Sequence, residues 1–482
     1  MFDLRPVGYV IGLLVAVLGV TMLFPLALDL VDGNGQWPVF LQSMLLTCLV
    51  GGLMALSCAN GVQAGLSVQQ TFLLTSGVWL VLPVFAALPF GLGATDARYV
   101  DAFFEAMSGL TTTGSTVLSG LDTLPRGLLL WRSMLQWFGG VGIIVVAMVF
   151  MPTLRVGGMQ IFRSEAFDTL GKILPRAVEI ASRIAVIYIG LTLACTLAYM
   201  NAGMDGFAAV NHALTTVSTG GFSTSDQSFG LYQGAPEYIA SVFMVLASLP
   251  FVLYVQMMAS NFRPLTRDSQ VRAFISTIFG LIAMIVAFRM LVNLDHPEHA
   301  FREALFNVTS IMTGTGFASV DYQLWGAFPV AIFFIVGLIG GCSGSTCCSI
   351  KIFRYQILFA SIAAQIRRIH SPHGIFTPRY QGRAVPEDAL SSVMAFFMLF
   401  FVTLGILAIL LGMTGLDFMT AVSGAATALA NIGPGLGDVI GPAGNFSGLN
   451  DTAKWILSAA MLIGRLEIMS VYVLFTVTFW RK

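Results

Sequence analysis

Four short turns, each polar and each ending in glycine, interrupt this chain between apolar stretches. They limit what it can fold into more than any other feature. They read Thr111-Thr112-Thr113-Gly114, Ser218-Thr219-Gly220-Gly221, Thr313-Gly314-Thr315-Gly316 and Ala430-Asn431-Ile432-Gly433, and each follows an amphipathic half-helix. Glycine-rich, irregular backbone at membrane depth is tolerated only where protein buries it or where it lines a watery path. The surroundings are membrane by composition. Of 482 residues 56% are hydrophobic and 10% charged, with a mean hydropathy of +0.84, too little charge to cover a soluble protein of this length. A formal net charge of zero leaves no basic excess to meet phosphates, which argues against nucleic acid as a partner.

A crossing helix needs about 20 apolar residues. The stretches that supply them are Val7–Val31, Trp37–Cys58, Thr71–Leu92, Leu128–Met151, Ala177–Met200, Tyr238–Ala259, Val271–Leu294, Ala327–Gly341, Leu390–Met413 and Trp455–Phe479. The first is too long for the apolar region of a signal peptide and is expected to stay as a span. The four half-helix-plus-turn segments are too short to cross twice and too apolar for ordinary loops, so they are expected to be re-entrant. Arg5, Arg155, Arg163, Lys172, Arg176, Arg183, Arg263, Arg267, Arg272, Lys351, Arg354, Arg367, Arg368, Arg379, Arg383, Arg481 and Lys482 then fall on one side. Asp32, Asp96, Asp101, Asp122, Asp226, Glu237, Asp295, Asp321, Asp438 and Asp451 fall on the other. The positive-inside rule puts both termini in the cytoplasm and all four turns on the outer side.

The expected fold class is an all-α polytopic membrane protein: four pseudo-symmetric helix–pore loop–helix units around a central pore, after a two-helix N-terminal leader. The units divide as leader 1–65, unit 1 66–155, unit 2 156–265, unit 3 266–370 and unit 4 371–482. Six residues before the last glycine of each turn stand Ser108, Thr215, Ser310 and Thr427. Five after it stand Ser119, Asp226, Asp321 and Asp438, so three acids are expected in a negative ring at the mouth.

A potassium ion gives up water only to oxygens at similar distance and field, which backbone carbonyls supply where glycine permits unusual conformations. The four terminal glycines meet that need. The hydroxyls of Thr111, Ser218 and Thr313 add ligands or brace the loops, and the half-helices aim their partly negative C-terminal ends at the axis. The competing reading is glycine that serves helix packing; four copies in register favour the filter.

With these residues the chain resembles the Trk/Ktr/HKT superfamily of potassium and sodium transporters, closest to the bacterial TrkH-type potassium uptake subunit. The resemblance covers essentially the whole chain, including the two-helix leader. It implies a potassium filter made of Thr111, Thr112, Thr113, Gly114, Ser218, Thr219, Gly220, Gly221, Thr313, Gly314, Thr315, Gly316, Asn431, Ile432 and Gly433. The fourth turn, followed by Pro434, departs most from the family pattern. Gly114, where some plant relatives have serine associated with sodium preference, implies potassium preference. The resemblance also implies a bacterial inner-membrane location, a homodimer with one pore per chain, and a cytosolic ring of nucleotide-binding RCK domains of the TrkA type. The regulator would dock on the loops Pro152–Arg176 and Gln365–Glu387, whose plainer reading is solvated loop.

Between Gly337 and Ser349 the chain reads Gly-Leu-Ile-Gly-Gly-Cys-Ser-Gly-Ser-Thr-Cys-Cys-Ser. Interior glycine costs a helix about 1 kcal/mol relative to alanine, so the span is expected to break here. The resemblance implies a gate loop below the filter, with Gly340, Gly341, Ser343, Gly344 and Ser345 in it; a kinked packing helix is the alternative. Arg465 lies about ten residues into an otherwise apolar span. Arginine at mid-membrane costs about 2.5–3.5 kcal/mol, so it is expected to face the interior or water. By counting from the turns it corresponds to Val146, Leu253 and Cys348, the last at the end of the broken loop. There it would oppose a passing cation; the alternative is a structural arginine. Lys351 and Arg354 are expected to meet the cytoplasm.

The six cysteines read as small buried apolar residues, and His370 and His373 as loop. No nucleotide loop, triad or metal-ligand spacing points to an enzyme, and the transported potassium is the only ion called for. The competing function is a proton- or sodium-coupled cation symporter, for which Glu467 is the nearest intramembrane acid.

Overall fold

The computed structural model describes residues 3–61, 66–146, 177–258 and 263–481. Arg155, Arg163, Lys172, Arg176, Lys482, the whole loop Pro152–Arg176 and the far ends of the fourth and sixth apolar stretches lie outside the described residues. Within them the chain is an all-α polytopic membrane protein; its β-structure is a two-stranded hairpin, Arg379–Tyr380 paired with Arg383–Ala384, and an isolated bridge. Among the described residues seven helices are long and apolar enough to cross: Arg5–Asp32, Trp37–Cys58, Val68–Leu92, Arg126–Val145, Ala181–Asn201, Ser269–Asn293 and Glu387–Met413. The first two form the leader. They approach closely enough that a Cβ on Gly12 would touch the backbone at Gly51 and Ala55, the small-residue packing expected in lipid.

The half-helices are Tyr99–Leu110, Gly206–Val217, Pro297–Thr313 and Phe418–Ala430. Asp205 and Asp417 cap the second and fourth through their carboxylates, satisfying orphan N–H groups at the start. Burial deepens toward their C-terminal ends: Ala102 to Leu110, Asn307 to Thr313 and Ser423 to Ala430 are buried throughout. All four therefore start near the surface and end at the centre of the molecule.

Three of the ten apolar stretches are broken, the eighth where its glycines predict. In the sixth stretch Ala235–Ala247 and Phe251–Met258 meet at 87°. Pro250, which lacks an N–H and collides with the preceding turn, stops the helix there. The eighth is helical only over Ala327–Gly337, and the chain resumes as helix at Ile352–His370. The tenth bends by 109° between Asp451–Arg465 and Ile468–Leu474, with Glu467 left-handed at φ 61°. Broken helix at this depth is the arrangement expected beside a cavity.

A candidate ion pathway where four turns meet

Each turn ends its half-helix in the same way. The second residue is left-handed in all four: Thr112 (φ 52°), Thr219 (52°), Gly314 (73°) and Asn431 (52°). Its N–H bonds three residues back, and the next N–H bonds five residues back, to the carbonyls of Ser108, Thr215, Ser310 and Thr427 at 2.9, 2.9, 2.9 and 3.1 Å. This is a Schellman cap, repeated four times. The chain then turns again at Gly114 (86°), Gly221 (77°), Gly316 (80°) and Gly433 (109°), where a side chain would be strained.

The four caps close on one another. A Cβ on Gly114 would meet the carbonyl oxygen of Gly220; on Gly221, that of Thr315; on Gly316, that of Ile432; and on Gly433, that of Thr113. Each final glycine thus sits against the third carbonyl of the next turn, and the last turn returns to the first. The hydroxyls brace this ring. Thr111 Oγ1 and Thr113 Oγ1 are 2.8 Å apart, and Thr313 Oγ1 and Thr315 Oγ1 2.7 Å. Ser218 Oγ donates to the Thr215 carbonyl at 3.2 Å. In the fourth turn Asn431 takes over this work, its Nδ2 donating to Thr113 Oγ1 at 2.8 Å and to the Met461 carbonyl at 3.0 Å.

Beyond the four final glycines lies a cavity of about 230 Å³, lined by Gly114, Gly221, Gly316, Gly433, Asp226 and Arg132 among others. Of the three acids expected at the mouth, Asp226 alone lines this cavity. Asp226 lines the cavity and accepts from the N–H groups of Gly120 and Leu121 at 2.8 and 3.1 Å. Asp321 caps a short helix at Gln323, and Asp438 stands exposed on its loop; neither lines the cavity. Arg132 is buried and paired with Glu105 at 2.8 Å. It also donates to the Ser223 carbonyl at 2.8 Å and lies 4.2 Å from the centre of the Phe222 ring. Sequence reading missed this pair, though a charged residue on each of two apolar helices is a usable signal.

The broken segment of the third unit crosses beneath the ring. Its two ends are held together where Gly340 N–H donates to the Ile350 carbonyl at 2.8 Å. It is anchored in the break of the second unit: Cys342 N–H donates to the Ser248 carbonyl at 3.1 Å, and Phe251 N–H to the Gly344 carbonyl at 2.9 Å. Thr346 Oγ1 donates to the Ala247 carbonyl at 3.0 Å and Ser343 N–H to Gln270 Oε1 at 3.0 Å. Ser345 Oγ donates to the Cys342 carbonyl at 2.7 Å. The glycines have distinct reasons: a Cβ on Gly340 or Gly341 would strike Cys348 or Cys347, whereas Gly344 has φ 75°. Cys348 lies under the turns, its Sγ 4.0 Å from Thr112 Oγ1.

Arg465 is 2% exposed. Its Nη1 lies 2.5 Å from Cys348 Sγ and 3.4 Å from the Thr346 carbonyl, and Nη2 donates to the Gly139 carbonyl at 2.8 Å. Among the described residues no carboxylate stands within ion-pair distance of it. Glu467 pairs instead with Arg354, 2.5 Å away. Arg354 is buried, 3.7 Å from the centre of the Phe396 ring, and Lys351 is half-buried with its Nζ on the Cys347 carbonyl. The expectation that both reach the cytoplasm is therefore corrected: they fold back under the loop, where Glu467 and freed carbonyls receive them. Among the described residues no group of His, Cys, Asp and Glu could hold a metal ion.

Comparison with known proteins agrees with this architecture. Residues 36–481 match the TrkH family, described as cation transport proteins. The Trk system potassium uptake protein TrkI of Halomonas elongata is 41% identical over 480 residues, covering 99% of this chain and 97% of that one. TrkH of Escherichia coli K12 is 36% identical, covering 99% of both. The crystal structure of the potassium transporter TrkH from Vibrio parahaemolyticus superposes with a TM-score of 0.92 at 34% identity, over the whole of both chains. The chain belongs to the TrkH family of cation transport proteins.

Proposed function

We propose that this chain takes up potassium across the bacterial inner membrane through one pore, with the four turns as selectivity filter. The observation that carries this reading is the closed ring in which each final glycine abuts the third carbonyl of the next turn. Rings of backbone carbonyls are the device by which a dehydrated potassium ion is received, and the relatives described as potassium uptake proteins support the choice of ion. Ions enter past Asp226, lose water at the turns and are stopped by the loop from Gly340 to Ser345 and by Arg465, whose charge has no carboxylate within ion-pair distance among the described residues. Withdrawal of the loop opens the path, and the membrane potential drives inward flow at about 2.3 kcal/mol per charge per 100 mV.

The division into a leader (1–65) and units 66–155, 156–265, 266–370 and 371–482 belongs to the same proposal, as do cytoplasmic termini, a homodimer and a cytosolic TrkA-type RCK regulator. Support for a docking site comes from the helix Ile352–His370, whose last turn carries Arg367, Arg368 and His370, followed by the basic hairpin at Arg379–Ala384. A proton-coupled symporter needs a free intramembrane acid; Glu467 is instead held by Arg354, which favours the channel-like reading. Flux through purified protein in liposomes decides between them. Potassium flux that exceeds sodium flux and persists without a pH gradient is expected; strict dependence on the gradient overturns the channel-like mechanism.

A further inference from the structure

The four carbonyls that face the final glycines are not equivalent. Those of Thr113, Thr315 and Ile432 receive no side-chain hydrogen bond among the described residues, whereas the Gly220 carbonyl accepts one of 2.6 Å from Gln136 Nε2. Gln136 lies on the crossing helix Arg126–Val145 of the first unit and is fully buried. Its Oε1 accepts from the Phe222 N–H at 3.0 Å. A backbone N–H can only donate and a carbonyl can only accept, so the two contacts fix which way the amide points. The side chain lies so close that a Cβ on Gly220 would overlap its amide carbon. The first unit thus grips the second turn on both sides of Gly221.

We infer that Gln136 is a positioning residue that sets the preference of the ring for the larger of two alkali cations. The inference rests on the filter reading above. Its amide hydrogen puts partial positive charge beside the Gly220 oxygen, occupies one of its two lone pairs and holds it back toward the helix. Both effects weaken the field that this oxygen presents to an ion. Coulomb energy rises as separation falls, so a nearer, stronger oxygen rewards a small ion more than a large one. Selectivity by field strength and selectivity by cavity size therefore predict the same sign: loss of the Gln136 donor admits sodium.

The test is potassium and sodium flux through the purified full-length protein in liposomes, wild type against Gln136→Met, which keeps length and volume but neither hydrogen bond. The expected result is a sodium-to-potassium ratio raised about three- to tenfold with potassium flux retained. That is the range when a hydrogen bond of ordinary net strength bears on one ion more than on the other. A merely structural role would lower both fluxes together, so an unchanged ratio overturns the inference. Should Gln136→Met fail to fold, Gln136→Leu removes the same two hydrogen bonds with a side chain of similar volume, with the same expectation and the same refutation. Wild-type protein that carries no potassium overturns the filter reading itself, an outcome distinct from selective wild type with unaltered variants.

Discussion

The side-chain amide of Asn431 donates a 2.8 Å hydrogen bond to the hydroxyl of Thr113, 318 residues earlier in the chain. This bond joins the last turn to the first, and with the Met461 carbonyl it does in the fourth unit what threonine pairs do in the first and third. Asn431→Leu removes both bonds and puts a branched side chain at φ 52°. Losses of about 1–3 kcal/mol for unpaired buried groups and about 1–2 kcal/mol for the left-handed residue are expected. Asn431→Gly is expected to suffer only the first. Thermal unfolding in detergent checks the order; equal, wild-type midpoints would show that the bond carries nothing.

Gly114→Ser is expected to weaken discrimination against sodium. The new Cβ would be forced against the Gly220 carbonyl at a backbone angle of 86°, so the first and second turns must part. Sodium-to-potassium flux ratios measure this, and ratios like those of wild type would remove Gly114 from the filter.

Arg465→Ala is expected to raise flux through isolated protein, because it removes both a buried positive charge and the contacts to Thr346, Cys348 and Gly139. Cys348→Ala is expected to give a smaller rise, since the charge stays. A folded, silent Arg465→Ala protein would leave the arginine a structural role only.

Breaking the Glu105–Arg132 pair from one side is expected to destabilise strongly. Arg132→Met leaves a buried carboxylate, a loss of about 3–5 kcal/mol, and the double variant Glu105→Gln/Arg132→Met should recover part of it. A double variant no more stable than Arg132→Met would mean the pair acts through packing on Phe222.

Asp226→Asn is expected to reduce uptake most at low ionic strength, since at about 0.15 M salt charges are screened within about 8 Å. Asp321→Asn and Asp438→Asn are expected to leave uptake nearly unchanged, because neither residue lines the cavity beyond the four final glycines. Equal effects for all three, or a loss independent of salt, would contradict this.

The turns, the half-helices and the broken loop were legible because glycine, serine and threonine are conspicuous in an apolar chain. Other features hid for physical reasons. A single proline, Pro250, in an apolar run gave little sign that the helix stops there and that its freed Ala247 and Ser248 carbonyls hold the loop. Spacing placed three acids five residues past a turn but could not show that Asp321 was spent capping a helix. Lys351 and Arg354 looked cytoplasmic by order along the chain; Glu467, 113 residues beyond Arg354, lets the arginine be buried. The first glycine of the Gly220-Gly221 pair has its reason in Gln136, a residue 84 positions away.

The closure of the fourth turn on the first has a consequence for biosynthesis. Gly433 meets Thr113, and Asn431 meets both Thr113 and Met461. A nascent chain that has inserted three units has three sides of a ring and no barrier to lipid or water on the fourth. The Met461 carbonyl that holds Asn431 lies in the helix Asp451–Arg465, so the bracing of the fourth turn and Arg465, at the end of that helix, leave the ribosome together. On the function proposed above, the last wall of the filter and the arginine beneath it are then finished in the same late stage of synthesis.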